Sequence, residues 1–237
     1  MKVTGVLCAS DMELAPVLRR MEVAQVTERA MLRFYSGRIG TAHVAAVCSG
    51  VCKVNAAVAV QLMIDVFHVD AVVCAGTAGG IRPDVKVLDT VVAEQTAYHD
   101  VAGEILTDLH PRMESMYFPA GRELLEAARG CAESWERPVL FGTVMTGERF
   151  VTGERRERIN QRFAPLAVDM ESAAAAHVCY VNRVPFLAVR SISDDAANDG
   201  VRSFEENCEQ AAELAAEFTA ALLKRYWGAG TGDGEET

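Results

Sequence analysis

Three carboxylates stand out because each lies where an apolar run of the chain ends or a helix is expected to begin. Glu13 follows the apolar segment 3–9, Glu171 follows the apolar end of the segment 164–168, and Asp194 follows the segment 185–192. In an open α/β sheet, such points line the ligand crevice at the strand ends. Three such points can supply a base for water, a ligand for sugar hydroxyls and a proton donor, which together suit cleavage of a glycosidic bond.

Glu171 has to be weighed against the ordinary role of acids at a helix start. Acidic residues there cap the free amides and interact favourably with the helix dipole. That structural role suits Asp169 well. It suits Glu171 less, because the small apolar run Ala173 to Ala176 that follows is expected to be packed. A carboxylate at 171 can instead accept hydrogen bonds from both hydroxyls of a ribose.

Asp194 and Glu13 have simple structural explanations as well. A strand that ends in Ser191, Ile192, Ser193 and Asp194 can be an ordinary turn or helix start, and an acid at 13 can be a first-turn helix residue. Arg190 favours a functional interpretation, because a buried arginine normally requires an anion. We expect Glu13 or Glu171 to be that anion.

The glycine-rich segment 76–80 follows the fully apolar segment 71–75. Glycines in this position let the backbone approach a ligand closely, or else form a tight turn. The segment matches neither G-x-G-x-x-G nor a P-loop, so it does not indicate a dinucleotide or a triphosphate. Phe150 has the planar ring to stack on a base, although aromatic residues are more often part of a core. For the single His99 a structural role is expected.

Apolar strand-like segments alternate with helical segments along most of the chain, with an irregular stretch at 100–120. This pattern predicts one α/β domain over residues 1–227, with a mixed, mostly parallel, twisted sheet flanked by helices, and a disordered tail over 228–237. The predicted strands are 3–9, 71–75, 87–97, 139–146 and 185–192, with a hairpin at 31–37 and 41–48. The predicted helices are 11–21, 53–67, 121–135, 152–162, 169–181 and 203–225.

The bulk composition excludes several classes of partner. The net charge of −10 disfavours nucleic acid and anionic membranes. The sequence has no run of 18 apolar residues, so no membrane span is predicted. The acidic residues Asp11 and Glu13 interrupt the first apolar segment too early for a signal peptide. The seven scattered cysteines are expected to be free thiols in a reducing compartment. We therefore expect a cytoplasmic protein, and no metal or organic cofactor is indicated.

Four segments, in this order and at this spacing, carry a family resemblance. They are 49–57 (SGVCKVNAA), 75–80 (AGTAGG), 167–171 (AVDME) and 189–194 (VRSISD). Together they resemble the purine nucleoside phosphorylase superfamily, and most of all its 5′-methylthioadenosine/S-adenosylhomocysteine nucleosidase branch. The resemblance extends from residue 3 to about 225. It implies a nucleoside phosphorylase-like fold, hydrolysis of adenine thionucleosides in methionine salvage, and a homodimer in which residues near 100–120 reach the neighbouring site.

The resemblance also implies a role for each matched residue. Glu13 is the implied general base for water, Asp194 the general acid toward purine N7, and Glu171 the ligand of the ribose diol. The other implied roles are packing against the sugar (Met170), a place near the nucleophilic water (Arg190 and Thr77), positioning of the acid (Ser193), stacking on the base (Phe150) and backbone recognition of the adenine edge (Val151).

Two physical points favour hydrolysis of an adenine nucleoside within this superfamily. Asp11 and Glu13 occupy the early loop where a phosphorylase needs an anion site, and acids there repel phosphate. A carboxyl at 194 can donate to N7 while it accepts from the 6-amino group. Because a proton donor must be neutral at the working pH, we expect burial to raise the pKa of Asp194.

The chain also departs from the family at three places. Residues 100–120 are more polar and charged than usual, Asp169 replaces a glutamate, and Ser10 replaces a methionine. An aminofutalosine- or futalosine-type nucleosidase is therefore an alternative, in which His110 or Arg112 meets a carboxylate on a larger 5′ group. A solvated loop is the simpler explanation for both residues. A phosphate-dependent phosphorylase and a nucleoside-binding module without catalysis are further alternatives.

Overall fold

A computed structural model describes residues 2–194 and 200–228 of the chain. Within these residues helices and strands alternate as the sequence pattern predicts. In chain order they are β1 (Val3–Cys8), α1 (Asp11–Arg19), β2 (Glu22–Arg29), β3 (Leu32–Ile39), β4 (Ala42–Cys48), α2 (Lys53–Phe67), β5 (Ala71–Gly80), β6 (Thr90–Tyr98), α3 (Gly103–Asp108), β7 (Tyr117–Pro119), α4 (Arg122–Ala132), β8 (Val139–Thr146), α5 (Gly153–Phe163), β9 (Ala167–Asp169), α6 (Ser172–Asn182), β10 (Phe186–Asp194) and α7 (Gly200–Gly228).

All strands of the described residues join one mixed sheet. Its order is β10-β6-β8-β9-β5-β1-β4-β3-β2, with β7 on β6. Strand β10 also pairs with β5, so β5, β9, β8, β6 and β10 close into a ring. The central strands β4, β1, β5 and β10 are parallel, whereas β2, β3 and β4 form an antiparallel meander. The mixed α/β fold predicted from the sequence is confirmed, although part of the sheet is closed rather than open.

Helices cover the parallel strands on both faces, which is why β5 and β10 consist almost entirely of buried residues. On one face, α2 and α6 pack together through small side chains such as Ala56, Ala59 and the run Ala173 to Ala176. On the other face, α1, α4 and α7 contribute a second apolar cluster. The two cores fix the ends of β1, β5 and β10 relative to one another. No helix of the described chain is long and apolar enough to cross a membrane.

Several elements differ from the predicted ones, each for a local physical reason. Strand β2 was not predicted, because this edge strand is exposed along almost its whole length and lacks an apolar alternation. Strand β5 runs through the glycines to Gly80, so of the two alternatives for residues 76–80 the tight turn is wrong. Helix α6 begins at Ser172 rather than at residue 169. Gly228 ends helix α7, and the rest of the predicted tail, 229–237, lies outside the described residues.

Candidate active site

A cavity of about 420 Å³ opens at the carboxyl ends of β1, β5 and β10. It is lined by nearly all of the residues that the sequence singled out, although they come from separate segments of the chain. These are Glu13, Thr77, Phe150, Val151, Met170, Glu171, Ser193 and Asp194. The remaining predicted residue, Arg190, is fully buried next to this cavity. The strand ends therefore bring the three predicted carboxylates to one place.

Glu13 is held by hydrogen bonds on both carboxylate oxygens. Its Oε2 accepts from the amides of Ala9 (2.8 Å) and Ser10 (3.2 Å), and its Oε1 accepts from the amide (2.7 Å) and the hydroxyl (3.0 Å) of Thr77. Ser10 Oγ in turn accepts from the Glu13 amide, which completes a capping box at the start of α1. The expected helix-start role is thus present, and it leaves the carboxylate buried at the cavity wall.

Gly76 lets Glu13 and Arg190 approach the same point of β5. A β-carbon at residue 76 would lie 2.4 Å from Glu13 Oε1 and 2.7 Å from Arg190 Nη1. Both distances are far shorter than ordinary van der Waals contacts, so only glycine fits here. The glycine-rich strand end therefore serves to bring a carboxylate and a guanidinium together.

Arg190 is paired chiefly with Asp169, which corrects the expectation that Glu13 or Glu171 would be its anion. Its Nε lies 2.9 Å from Asp169 Oδ2, whereas its Nη2 lies 3.7 Å from Glu171 Oε2. Ser172 Oγ accepts from both Nε and Nη2. Burial disfavours the charge of Arg190, but Cys74 and the surrounding carboxylates outweigh it and hold the pKa of Arg190 above its ordinary value. Within the described residues, buried Nη1 has no hydrogen-bond partner.

Asp169 was expected to be a helix cap, and it has that role in addition to its pairing with Arg190. Its Oδ1 accepts from the amides of Glu171 and Ser172 at the start of α6, and from Thr146 Oγ1 at 2.5 Å. It lies at the end of strand β9 rather than inside α6. The short aspartate thus links the helix start to the buried arginine.

Glu171 is buried directly before α6, and its Oε1 accepts a hydrogen bond of 2.9 Å from the amide of Cys52. Burial raises the pKa of Glu171 to about 7, and the nearby Asp169 and Glu13 act in the same direction. Arg190 and the Cys52 amide oppose this increase. Glu171 can therefore change its charge near neutral pH.

Asp194 ends strand β10 and is almost completely buried. The register between β10 and β5 shifts at Ser193, and Asp194 then pairs with Gly79. Ser193 Oγ donates to Asp194 Oδ2 at 3.1 Å and also lies 3.4 Å from Ala78 O. A β-carbon at Gly79 would lie only 3.0 Å from Asp194 Oδ1. The bulge and the glycine thus give the carboxyl room to face the cavity.

Comparison with known proteins gives the family of the chain. The family model described as the phosphorylase superfamily matches residues 3–224. The 5′-methylthioadenosine/S-adenosylhomocysteine nucleosidase of Geobacillus kaustophilus strain HTA426 is 33% identical over 232 residues, which cover 94% of this chain and 99% of that protein. The chain belongs to this nucleosidase family of the phosphorylase superfamily.

Solved structures agree with this family and include a near neighbour of different specificity. The methylthioadenosine/S-adenosylhomocysteine nucleosidase of Neisseria meningitidis, in complex with methylthio-immucillin-A, has a TM-score of 0.88 and 31% identity, and covers 94% of this chain and 99% of its own. A futalosine hydrolase of Helicobacter pylori has a TM-score of 0.87 and 28% identity, and the match covers 94% of this chain and 97% of the hydrolase. Fold similarity alone therefore does not separate these two members.

Some residues of the cavity were not predicted from the sequence. Phe150 is 43% exposed. Its ring contacts the ring of Phe204 edge to face, with the ring centroids 6.0 Å apart. Val51 and Met12 add apolar surface to the same cavity. Phe204 lies in α7, outside the four sequence segments that carry the family resemblance. Val51 lies inside the segment 49–57, so the motif itself contained a signal for it.

Proposed function

We propose that this chain hydrolyses the N-glycosidic bond of adenine thionucleosides and releases adenine. The observation that carries the proposal is the convergence of Glu13, Glu171 and Asp194, all buried, on one cavity of about 420 Å³. That volume lies within the range of small-molecule sites. The names of the relatives support the same activity.

In the proposed reaction, water attacks C1′ of the ribose while the bond from C1′ to purine N9 breaks. Glu13 takes the proton of the water, and Asp194 gives a proton to N7 so that adenine leaves as a neutral molecule. Arg190 supports this arrangement, because its Nη1, which no other described residue binds, and Glu13 Oε1 approach the same point at Gly76. The Thr77 hydroxyl fixes the base by donating to the same oxygen.

Electrostatics also favours the proposed transition state. Cleavage of a glycosidic bond passes through an oxocarbenium-like state with positive charge on the sugar. The carboxylates that surround the cavity stabilise that charge where it develops. We assign Glu171 to the ribose diol and Met170 to packing against the sugar. Phe150 and Val151 then bind the base at the end of the cavity that contains Asp194 and Ser193.

Water is the proposed nucleophile because the cavity is acidic. Apart from Asp194, which carries a proton in the proposed reaction, the acidic lining within the described chain consists of Glu13, Asp169, Glu171 and Glu205. The single basic residue of that lining is Arg149. A phosphate dianion would be repelled by such a wall, whereas neutral water is not. A nucleosidase is therefore favoured over a phosphorylase.

A futalosine-type substrate is the second candidate, and the Helicobacter pylori neighbour is the observation that favours it. Its larger, carboxylated 5′ group needs a cation. His110 and Arg112 are exposed and do not line the cavity of their own chain, as the simpler explanation expected. Of the described residues that line the cavity, Arg149 is the one basic residue.

The proposal includes a cytoplasmic homodimer that acts in methionine salvage. Val51, Val54 and Val58 form an exposed apolar face at the start of α2, next to the cavity. Further exposed apolar residues lie on α6, which packs against α2, and near α3. Surfaces of this kind mark protein interfaces. All seven cysteines are free, as in a reducing compartment. Sedimentation at micromolar concentration should give a dimer, and a monomer alone would contradict it.

The test of the proposed function is adenine release from methylthioadenosine, S-adenosylhomocysteine and aminofutalosine, each with and without phosphate. We expect phosphate-independent release, fastest with the first two substrates. Preference for aminofutalosine would move the chain to the second candidate. Release only with phosphate would make it a phosphorylase, and binding of adenine without any release would indicate a binding module.

A further inference from the structure

Cys52 has a backbone conformation that is almost reserved for glycine. Its φ of 82° and ψ of 165° lie in a region where a β-carbon is strained. Its amide donates the 2.9 Å hydrogen bond to Glu171 Oε1. Strained residues of this kind cluster at functional sites, where the surrounding structure holds them in place. The strain at Cys52 aims one amide of the α2 terminus at the buried carboxylate.

Three segments hold this strained residue from outside the cavity. The next amide along the chain, that of Lys53, donates to Glu148 Oε1 at 3.1 Å. The Lys53 ammonium donates to both oxygens of Asp100, at 2.9 and 3.0 Å, and lies 5.1 Å from the centre of the Tyr98 ring. The Glu148 amide donates to Asp100 Oδ2 at 3.0 Å, which closes the cycle. Lys53, Asp100 and Glu148 thus form a clamp.

We propose that Glu148 is a positioning residue for Glu171, acting through the Lys53 and Cys52 amides. Glu148 does not line the cavity, and its side chain is partly exposed. Consecutive amides of the α2 terminus bind the two carboxylates, so a shift of the Lys53 amide moves the Cys52 amide with it. The inference rests on the proposed role of Glu171 as the ligand of the ribose diol.

The direction in which the pKa of Glu171 shifts distinguishes two ways in which Glu148 could act on it. The Cys52 amide lowers the pKa of Glu171, so its loss raises that pKa. If Glu148 acted only by its charge through space, removal of that negative charge would lower the pKa of Glu171. The other titratable and charged groups near Glu171 are unchanged by a substitution of Glu148. They are Arg190 on β10, Asp169 on β9, Glu13 on α1 and the thiol of Cys52.

The test is an NMR titration of the Glu171 carboxyl, assigned with Glu171→Gln, in the wild type and in Glu148→Ala, which removes the acceptor of the Lys53 amide. We expect the Glu171 titration to move to higher pH in Glu148→Ala. The matched control is Glu154→Ala, which removes an exposed acid at the start of α5 and should leave the titration unchanged. A downward shift or no shift in Glu148→Ala would overturn the inference. Because the titration needs no turnover, it stays separate from the proposed function.

Steady-state kinetics provides a second test of the positioning role of Glu148. Loss of one hydrogen bond to Glu171 should lower kcat/KM at pH 6 roughly two- to tenfold, and the effect should disappear in the Glu171→Gln background. An equal loss in both backgrounds would overturn the inference. Asp100→Asn weakens the ion pair with Lys53 in the same clamp and should shift the Glu171 titration upward as well, which protects the test if Glu148→Ala folds poorly. Absence of adenine release by the wild type would instead refute the proposed function alone.

Discussion

Glu13 and Thr77 are 64 residues apart in sequence and are joined by two hydrogen bonds to one carboxylate oxygen. The Thr77 amide and hydroxyl both donate to Glu13 Oε1, while the amides of Ala9 and Ser10 bind Oε2. The position of the carboxylate is therefore fixed before a substrate arrives. Such preorganisation is what a general base requires, because it avoids reorganisation in the transition state.

Replacement Glu13→Gln should lower kcat by about 10²–10⁴, the usual contribution of a general base. Glutamine has one acceptor oxygen, which can complete the capping box, but its NH2 group then faces the Thr77 amide. The free energy of unfolding should therefore fall by about 1–3 kcal/mol, and the protein should still fold. Adenine release and thermal unfolding, measured on the same preparation, check both parts. A turnover close to that of the wild type would remove Glu13 from the proposed role.

Replacement Asp194→Asn should cause a similar loss in kcat, because the amide cannot deliver a proton to N7. The side chain keeps its size, so the fold and adenine binding should be retained. The pKa of Asp194 remains a prediction, and an NMR titration of the wild type with adenine bound tests it. An ordinary carboxyl pKa in that complex would argue against Asp194 as the acid.

The pH dependence of kcat/KM should show an acid limb near pH 7. Burial raises the pKa of Glu171 from 4.5 to about 7, so protonation begins as the pH falls through that value. A protonated Glu171 loses an acceptor for the ribose diol, and kcat/KM should therefore decrease below pH 7. Glu171→Gln should be slow at every pH and lack this limb. A wild-type limb near pH 4.5 would show that Glu171 is not the group that titrates.

Replacement Cys52→Gly should stabilise the protein by about 1–2 kcal/mol. Relief of the strained backbone contributes about 1–3 kcal/mol, and the greater freedom of glycine in the unfolded chain offsets part of it. Urea unfolding measures the difference, with Cys52→Ala as the control, since alanine keeps the β-carbon and the strain. Equal stability of the two variants would contradict the strain at residue 52.

Periodic apolar patterns explain why much of the fold could be predicted. Helix α2 and strand β8 have the predicted bounds, and β3 and β4 form the predicted hairpin. Strand β9 has only three residues, which is too short for a pattern. The exposed strand β2 lacks a core-facing alternation.

The candidate site was predictable to the extent that its residues lie in motifs. Glu13, Glu171 and Asp194 each end a recognisable segment, and the cavity does bring them together. The pairing of Arg190 with Asp169 was not predictable, because it depends on β9 and β10 both pairing with β5 in the ring of strands. Phe204 lies outside the motifs, so only the fold shows its contact with Phe150.

The most direct test of the central claim is mass spectrometry of the sugar released from methylthioadenosine in ¹⁸O-labelled water, with phosphate present. Hydrolysis puts one labelled oxygen on C1 of free methylthioribose, and this is the result that we predict. Methylthioribose 1-phosphate without the label, or no adenine release, would contradict the assignment of Glu13 as a base for water.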